Sequence, residues 1–181
     1  MSAPEFPIVN RIAGFPVKGL PTSLKSLLKF NFGQNVWEYA SEPDLAHGEI
    51  FMTTPNGGQS ISQTYVKITQ FDTNGAFNKM TVDQSQGTIT CTEAADYDVD
   101  AHISITGGNN RIMTIAIFVD GVEQPSARAQ EKLGTGTNVT NITIGGIITC
   151  LATSVIDIRI KQDAGTDTVN LKEGNIHMFF I

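Results

Sequence analysis

Thr137–Gln162 reads TNVTNITIGGIITCLATSVIDIRIKQ, and this stretch decides the fold class. Ile142 and Ile144 alternate with polar neighbours, and after a short break Ile156, Ile158 and Ile160 alternate with Val155, Asp157 and Arg159. A period of two in a run rich in Ile, Val and Thr is the pattern of half-buried β-strands, whose branched side chains fit a pleated surface. The intervening Leu151-Ala-Thr-Ser154 has room only for a tight turn, and no helix of useful length fits the region.

Working outward, most of the chain beyond residue 45 follows the same rule. Strands are expected at 47–53, 64–68, 79–83, 88–92, 97–106, 113–119, 122–132, 139–150, 154–161 and 168–181. The segments around Pro55–Gly58 and Asp72–Gly75 read as turn and loop, as do Gln86-Gly87, Gly107–Asn110 and Asp120-Gly121. Tyr97–Thr106 alternates cleanly, placing Val99, Ala101, Ile103 and Ile105 on one face and Asp96, Asp98 and Asp100 on the other. Short strands separated by Gly and Asn turns predict an all-β sandwich or jelly roll.

Residues 1–44 differ. They hold five of the seven prolines (Pro4, Pro7, Pro16, Pro21 and Pro43), each removing a backbone donor and favouring an extended predecessor. The segment is nevertheless apolar, with Phe6, Ile8, Val9, Ile12, Phe15, Val17 and Leu20. It is expected to be an extended arm that clamps another protein's surface, or else one folded back on its own domain. Within it, Leu27–Asn31 and Val36–Tyr39 flank Gly33-Gln-Asn35, the pattern of a β-hairpin; a two-turn helix over 23–30 is the alternative. The expected organisation is an arm and hairpin over 1–44 and a β-domain over 45–181.

The chain's 181 residues suit one domain with a real core. Its formal charge of −6 repels phosphate backbones and argues against a nucleic-acid partner. Charged residues make up 17% of the chain, below the roughly 25% usual in soluble domains. Short polar side chains fill the gap, which suits an extracellular or virion surface. No apolar run approaches the roughly 18 residues of a membrane helix. The N-terminal MSAPEFPIVNRIAG has no basic start and apolar run of a secretory signal, so synthesis in a cytoplasm is expected. Cys91 and Cys150 both fall in strands, as buried thiols or, if close enough, a disulfide.

The chemistry-bearing residues are sparse. His47, His102 and His177 are the only histidines, and none has the local spacing of a zinc site. No G-x-S-x-G elbow is present, and the glycine-rich Leu133–Asn138 lacks the Lys-Ser/Thr of a phosphate loop. Asp96, Asp98 and Asp100 form an acidic strand face without a calcium-binding loop pattern. No catalytic residue, metal or cofactor is expected.

The succession GEIFM, TYVKI, GTITC, ADYDVDAHISIT, IAIFVDGVEQPSARAQ and GTGTNVTNITIGGIITCLATSVIDIRIKQ, closed by a hydrophobic last strand, resembles the trimeric jelly-roll domain of tailed-bacteriophage surface proteins. That domain is related in fold to the complement and tumour-necrosis-factor family. The resemblance covers 47–181, and SLLKFNFGQNVWEYAS is similar to the connector peptide that precedes phage fibre and decoration domains. It implies a homotrimer on a virion, with the last strand of each subunit near the threefold axis. The consecutive Met178, Phe179, Phe180 and Ile181 are the corresponding residues, because one wet face cannot accommodate all four; a central strand of a single sandwich is the alternative.

The leading expectation is therefore a capsid decoration, or cement, protein without enzymatic activity. It would be made in the host cytoplasm and held on the major capsid protein by Phe6, Ile8, Val9, Ile12 and Phe15, with Met178, Phe179 and Phe180 at the trimer interface. A tail-fibre or head-fibre receptor-binding protein is the alternative. A polysaccharide-degrading enzyme ranks last, because no carboxylate pair can be positioned from sequence.

Overall fold

The computed structural model describes residues 45–181 apart from 56, 108, 109 and 136, and within 1–44 the backbone of four strands. The chain divides into two compact units, Met1–Asp44 and Leu45–Ile181. In the first, β1 (Arg11–Ile12), β2 (Phe15–Lys18), β3 (Leu27–Asn31) and β4 (Val36–Ala40) form one sheet in the order β1-β2-β4-β3. β3 and β4 are the expected antiparallel hairpin. β2 lies parallel to β4, Val17 opposite Trp37, so this part of the arm shares a sheet with the hairpin instead of leaving it as a separate extended strand. Ile12 and Phe15 are paired across β1 and β2, whereas Phe6, Ile8 and Val9 lie outside the described residues.

The second unit is a sandwich of two antiparallel sheets. Its strands are β5 (His47–Phe51), β6 (Gly58–Ile61), β7 (Val66–Lys67), β8 (Thr73–Asn78), β9 (Met80–Asp83), β10 (Thr88–Cys91), β11 (Ala95–Gly107), β12 (Ile112–Val119), β13 (Val122–Lys132), β14 (Thr140–Cys150), β15 (Val155–Gln162) and β16 (Asp167–Phe180). One sheet runs β14-β11-β16-β5-β8 with β6 also on β16, and the other runs β13-β12-β15-β10-β9 with β7 on β15. This is the jelly-roll sandwich that the alternation predicts. Two strands depart from expectation: β6 begins at Gly58, the last residue of the expected turn, and β8 runs through most of the expected Asp72–Gly75 loop. They form because β16 and β5 offer them unpaired ladder groups.

Local chemistry fixes the turns. Asp120 and Gly121 both have positive φ (50° and 81°), which suits the two-residue turn joining β12 to β13, with Val119 paired to Val122. The Asp120 carboxylate also accepts hydrogen bonds from Ser154 Oγ (2.9 Å) and the Val155 amide (2.8 Å), tying this hairpin to the Leu151–Ser154 turn. In that turn the Ser154 amide donates to the Leu151 carbonyl.

Between the sheets lies the core. Val99, Ala101, Ile103 and Ile105 of β11 meet Ile142, Ile144 and Ile148 of β14 on one layer, and Ile115, Ile117, Ile156, Ile158 and Ile160 supply the other. Cys91 and Cys150, from opposite sheets, are free, buried thiols; the neighbouring Cys150 thiol and burial push the Cys91 thiol up, while Cys150 Sγ lies 4.0 Å from the Ile148 carbonyl oxygen. On the far side of the second sheet, the buried Asp157 carboxylate receives Arg159 through Nε (2.7 Å) and Nη2 (3.0 Å), with Lys67 Nζ at 3.4 Å. The Arg159 guanidinium lies 4.3 Å over the Phe118 ring, which meets Tyr65 edge-on.

Candidate functional site

The outer face of the β14-β11-β16-β5-β8 sheet collects the chain's sparse chemistry. Strand register sets it out in rows. Ile147, Asp98, Phe179 and His47 lie opposite one another in the first, and Gly145, Asp100, His177 and Glu49 in the second. Thr143, His102, Asn175 and Phe51 form the third. All three histidines therefore share one face, although 130 residues of sequence separate the first from the last.

The Phe179 ring is half exposed, with its centroid 6.3 Å from that of His47 and 5.4 Å from that of His177. His177 Nε2 lies 3.3 Å from Asp100 Oδ2. Gly145 makes that placement possible, since a Cβ there would overlap the Asp100 carboxylate. His102 Nδ1 sits 3.4 Å from Thr143 Oγ1. Asp96, Asp98, Asp100, Glu49 and Glu173 make the face acidic, with Lys172 among them. Asp96 accepts a 2.6 Å hydrogen bond from Thr149 Oγ1. Among the described residues no three or more metal-ligating side chains converge on a point. Both cysteine thiols face the core, away from every histidine of this surface.

One end of the face is apolar. Phe179 and Ile147 share the first row; Ile181 follows β16, Leu151 follows β14, and Leu45 precedes β5 at the same end. All five are about half exposed or more, and Ile147 and Leu151 approach 70%. Of the residues expected at an interface, Met178 is wholly buried in the sandwich, and Phe180 packs edge-on against Tyr97 at 6.0 Å. Phe179 alone of the three presents its ring outward, so β16 alternates regularly over Met178–Phe180 and the apolar run reflects two destinations. Ile147, Leu151 and Leu45 escape sequence reading because they belong to three separate segments that only the strand order unites.

No family model matches the sequence, and no curated protein matches it. Solved structures do. The sandwich is similar to the Eiger TNF of S. frugiperda, with a TM-score of 0.56 at 10% identity over 76% of this chain and 93% of that one. It is also similar to the globular domain of zebrafish complement 1qA protein, with a TM-score of 0.50 at 12% identity over 76% and 97% of the two chains. The chain thus carries a jelly-roll fold similar to that of these two domains, and at these identities the likeness is one of fold.

Proposed function

We propose that this chain is a structural, non-enzymatic virion protein: a capsid decoration (cement) protein of a tailed bacteriophage that assembles as a homotrimer. The single observation that carries the trimer is the apolar end of the acidic face, where Phe179, Ile147, Leu151, Leu45 and Ile181 remain open on the sandwich. Exposed apolar side chains gathered at one end of a sheet mark a protein contact; here they flank Asp98, which stands between Ile147 and Phe179, and a second and third copy of the same fold would cover them. The attachment role falls to residues 1–44, a separate compact unit. Its anchors are Phe6, Ile8, Val9, Ile12 and Phe15, set into grooves of the major capsid protein. Three such units per trimer multiply individually weak contacts through effective concentration. The acidic charge of −6 fits a partner other than nucleic acid. Synthesis in the host cytoplasm and assembly onto the shell follow from this reading.

Deletion of residues 1–21 tests attachment. The truncated chain should retain the oligomeric state of the parent and lose cosedimentation with undecorated shells. Unchanged shell affinity would remove the N-terminal unit from the account and favour receptor binding.

A further inference from the structure

At the end of the face away from Phe179, the sheet opens into a hollow of about 510 Å³, within the range of small-molecule sites. Its origin is a bulge in β16. Ser104 pairs with Glu173 and the next residue, Ile105, with Leu171, so Lys172 is extra. Regular alternation would send Lys172 and Glu173 to opposite faces; with the bulge both are exposed. Next to the bulge the neighbouring strands part: β6 pairs with β16 over Asp167–Asn170 and β5 over Asn175–Phe179.

The wall across this gap is held in place. Asp72 accepts hydrogen bonds from the Thr53 amide (2.8 Å), the Thr54 amide (2.9 Å) and the hydroxyls of Thr53 and Thr73. The Met52 amide donates to the Gly174 carbonyl at 2.8 Å.

Several polar side chains at the hollow have no protein partner. Asn175 Oδ1 is buried without a hydrogen-bond partner. Glu49, Lys172 and Glu173 line the hollow, and among the described residues none of them makes a side-chain hydrogen bond or an ion pair. A buried acceptor left unpaired is costly, so a ligand that supplies a donor is favoured once the Asn175 side chain turns its amide toward the hollow. Acceptors outnumber donors here, and two carboxylates against one ammonium repel an anion. Phe51 and His102 add half-buried rings to the lining.

A ligand for this site needs several hydroxyls, each able to donate to a carboxylate or accept from Lys172, and an apolar C–H face for the Phe51 ring. We infer that the hollow binds a neutral hexose unit of a glycan. Asn175 is four residues from Phe179, about 13 Å along the strand, so a trimer contact centred on Phe179 leaves the hollow accessible. The inference goes beyond the decoration role, and its test needs no shell.

Saturation-transfer NMR on the full chain with glucose, galactose, mannose and N-acetylglucosamine reads binding directly. At least one sugar should receive saturation, with a dissociation constant on the order of 1 mM. Glu173→Gln and Asn175→Ala should each weaken that sugar about tenfold, while Glu131→Gln on β13 should leave it unchanged. Thermal melting of each variant separates lost binding from lost fold; Glu173 is exposed, so its substitution leaves the core untouched. Three results would overturn the inference: no transfer to any of the four sugars, binding that survives both substitutions, or tighter binding of sialic acid than of the neutral sugars.

Discussion

Replacing Phe179 by alanine removes the half-exposed ring at the centre of the apolar end, and its effect on assembly follows from the area involved. A side chain of this class presents about 150–250 Å², so about 100 Å² remains to be covered by a partner. At about 25 cal/mol per Å² that is about 2.5 kcal/mol per protomer, and about 7 kcal/mol for three. A loss of about 7 kcal/mol raises the trimer dissociation constant by about five orders of magnitude. Opposing this attraction are the carboxylates of Asp96 and Asp98 at the same end of the face, so added salt should tighten the parent trimer by screening them. Sedimentation velocity across a concentration series checks both effects. The variant should run as a monomer where the parent is a trimer, while its melting temperature stays close to that of the isolated parent protomer. Met178→Ala is the contrast. That side chain is wholly buried, and its truncation should cost about 2–5 kcal/mol of folding stability. If Phe179→Ala sediments as a trimer with unchanged affinity, the apolar end is not the interface.

Three further outcomes follow. Asp157→Asn leaves Arg159 and Lys67 without their shared carboxylate; because both cations are partly exposed, the expected loss is about 2–3 kcal/mol, read by urea denaturation. Asp72, held well below the usual carboxylate range at about 2 by the Thr53 amide first and then by the Thr73 hydroxyl, favours the fold above its ordinary 3.8 and loses that contribution as pH falls towards 2. Asp72→Asn should therefore show a shallower decline in stability than the parent across this window, and parallel curves would contradict the linkage. Cys91 and Cys150 should resist thiol labelling in the native protein and both react after denaturation without reductant; a pair that reacts only after reduction would show a disulfide instead.

The sandwich was legible where alternation is strict. Val99 to Ile105 and Ile142 to Ile144 reveal their inward faces by period alone, and the structure buries them all. The hairpin β3–β4 was legible for a related reason, two apolar runs around a turn. β6 and β8 were not, because each begins within a segment read as turn or loop, Pro55–Gly58 and Asp72–Gly75, and acquires its strand character from β16 and β5. The candidate site was less legible still. The acidic row Asp96, Asp98 and Asp100 is written in one strand, yet its meeting with His47 and His177 depends on the non-sequential order β11-β16-β5. A bulge at Lys172 leaves no compositional trace, so the hollow beside it had no sequence signal. The contact between Cys91 and Cys150 joins two sheets, a juxtaposition that spacing does not encode.

The central claim concerns where the trimer sits. Under the proposed decoration role, cryo-electron microscopy of virions that carry this chain, compared with particles lacking it, addresses that claim most directly. The account predicts difference density at threefold or quasi-threefold positions of the shell, shaped as three jelly-roll sandwiches. Difference density confined to the tail, with a shell identical in both reconstructions, would contradict it.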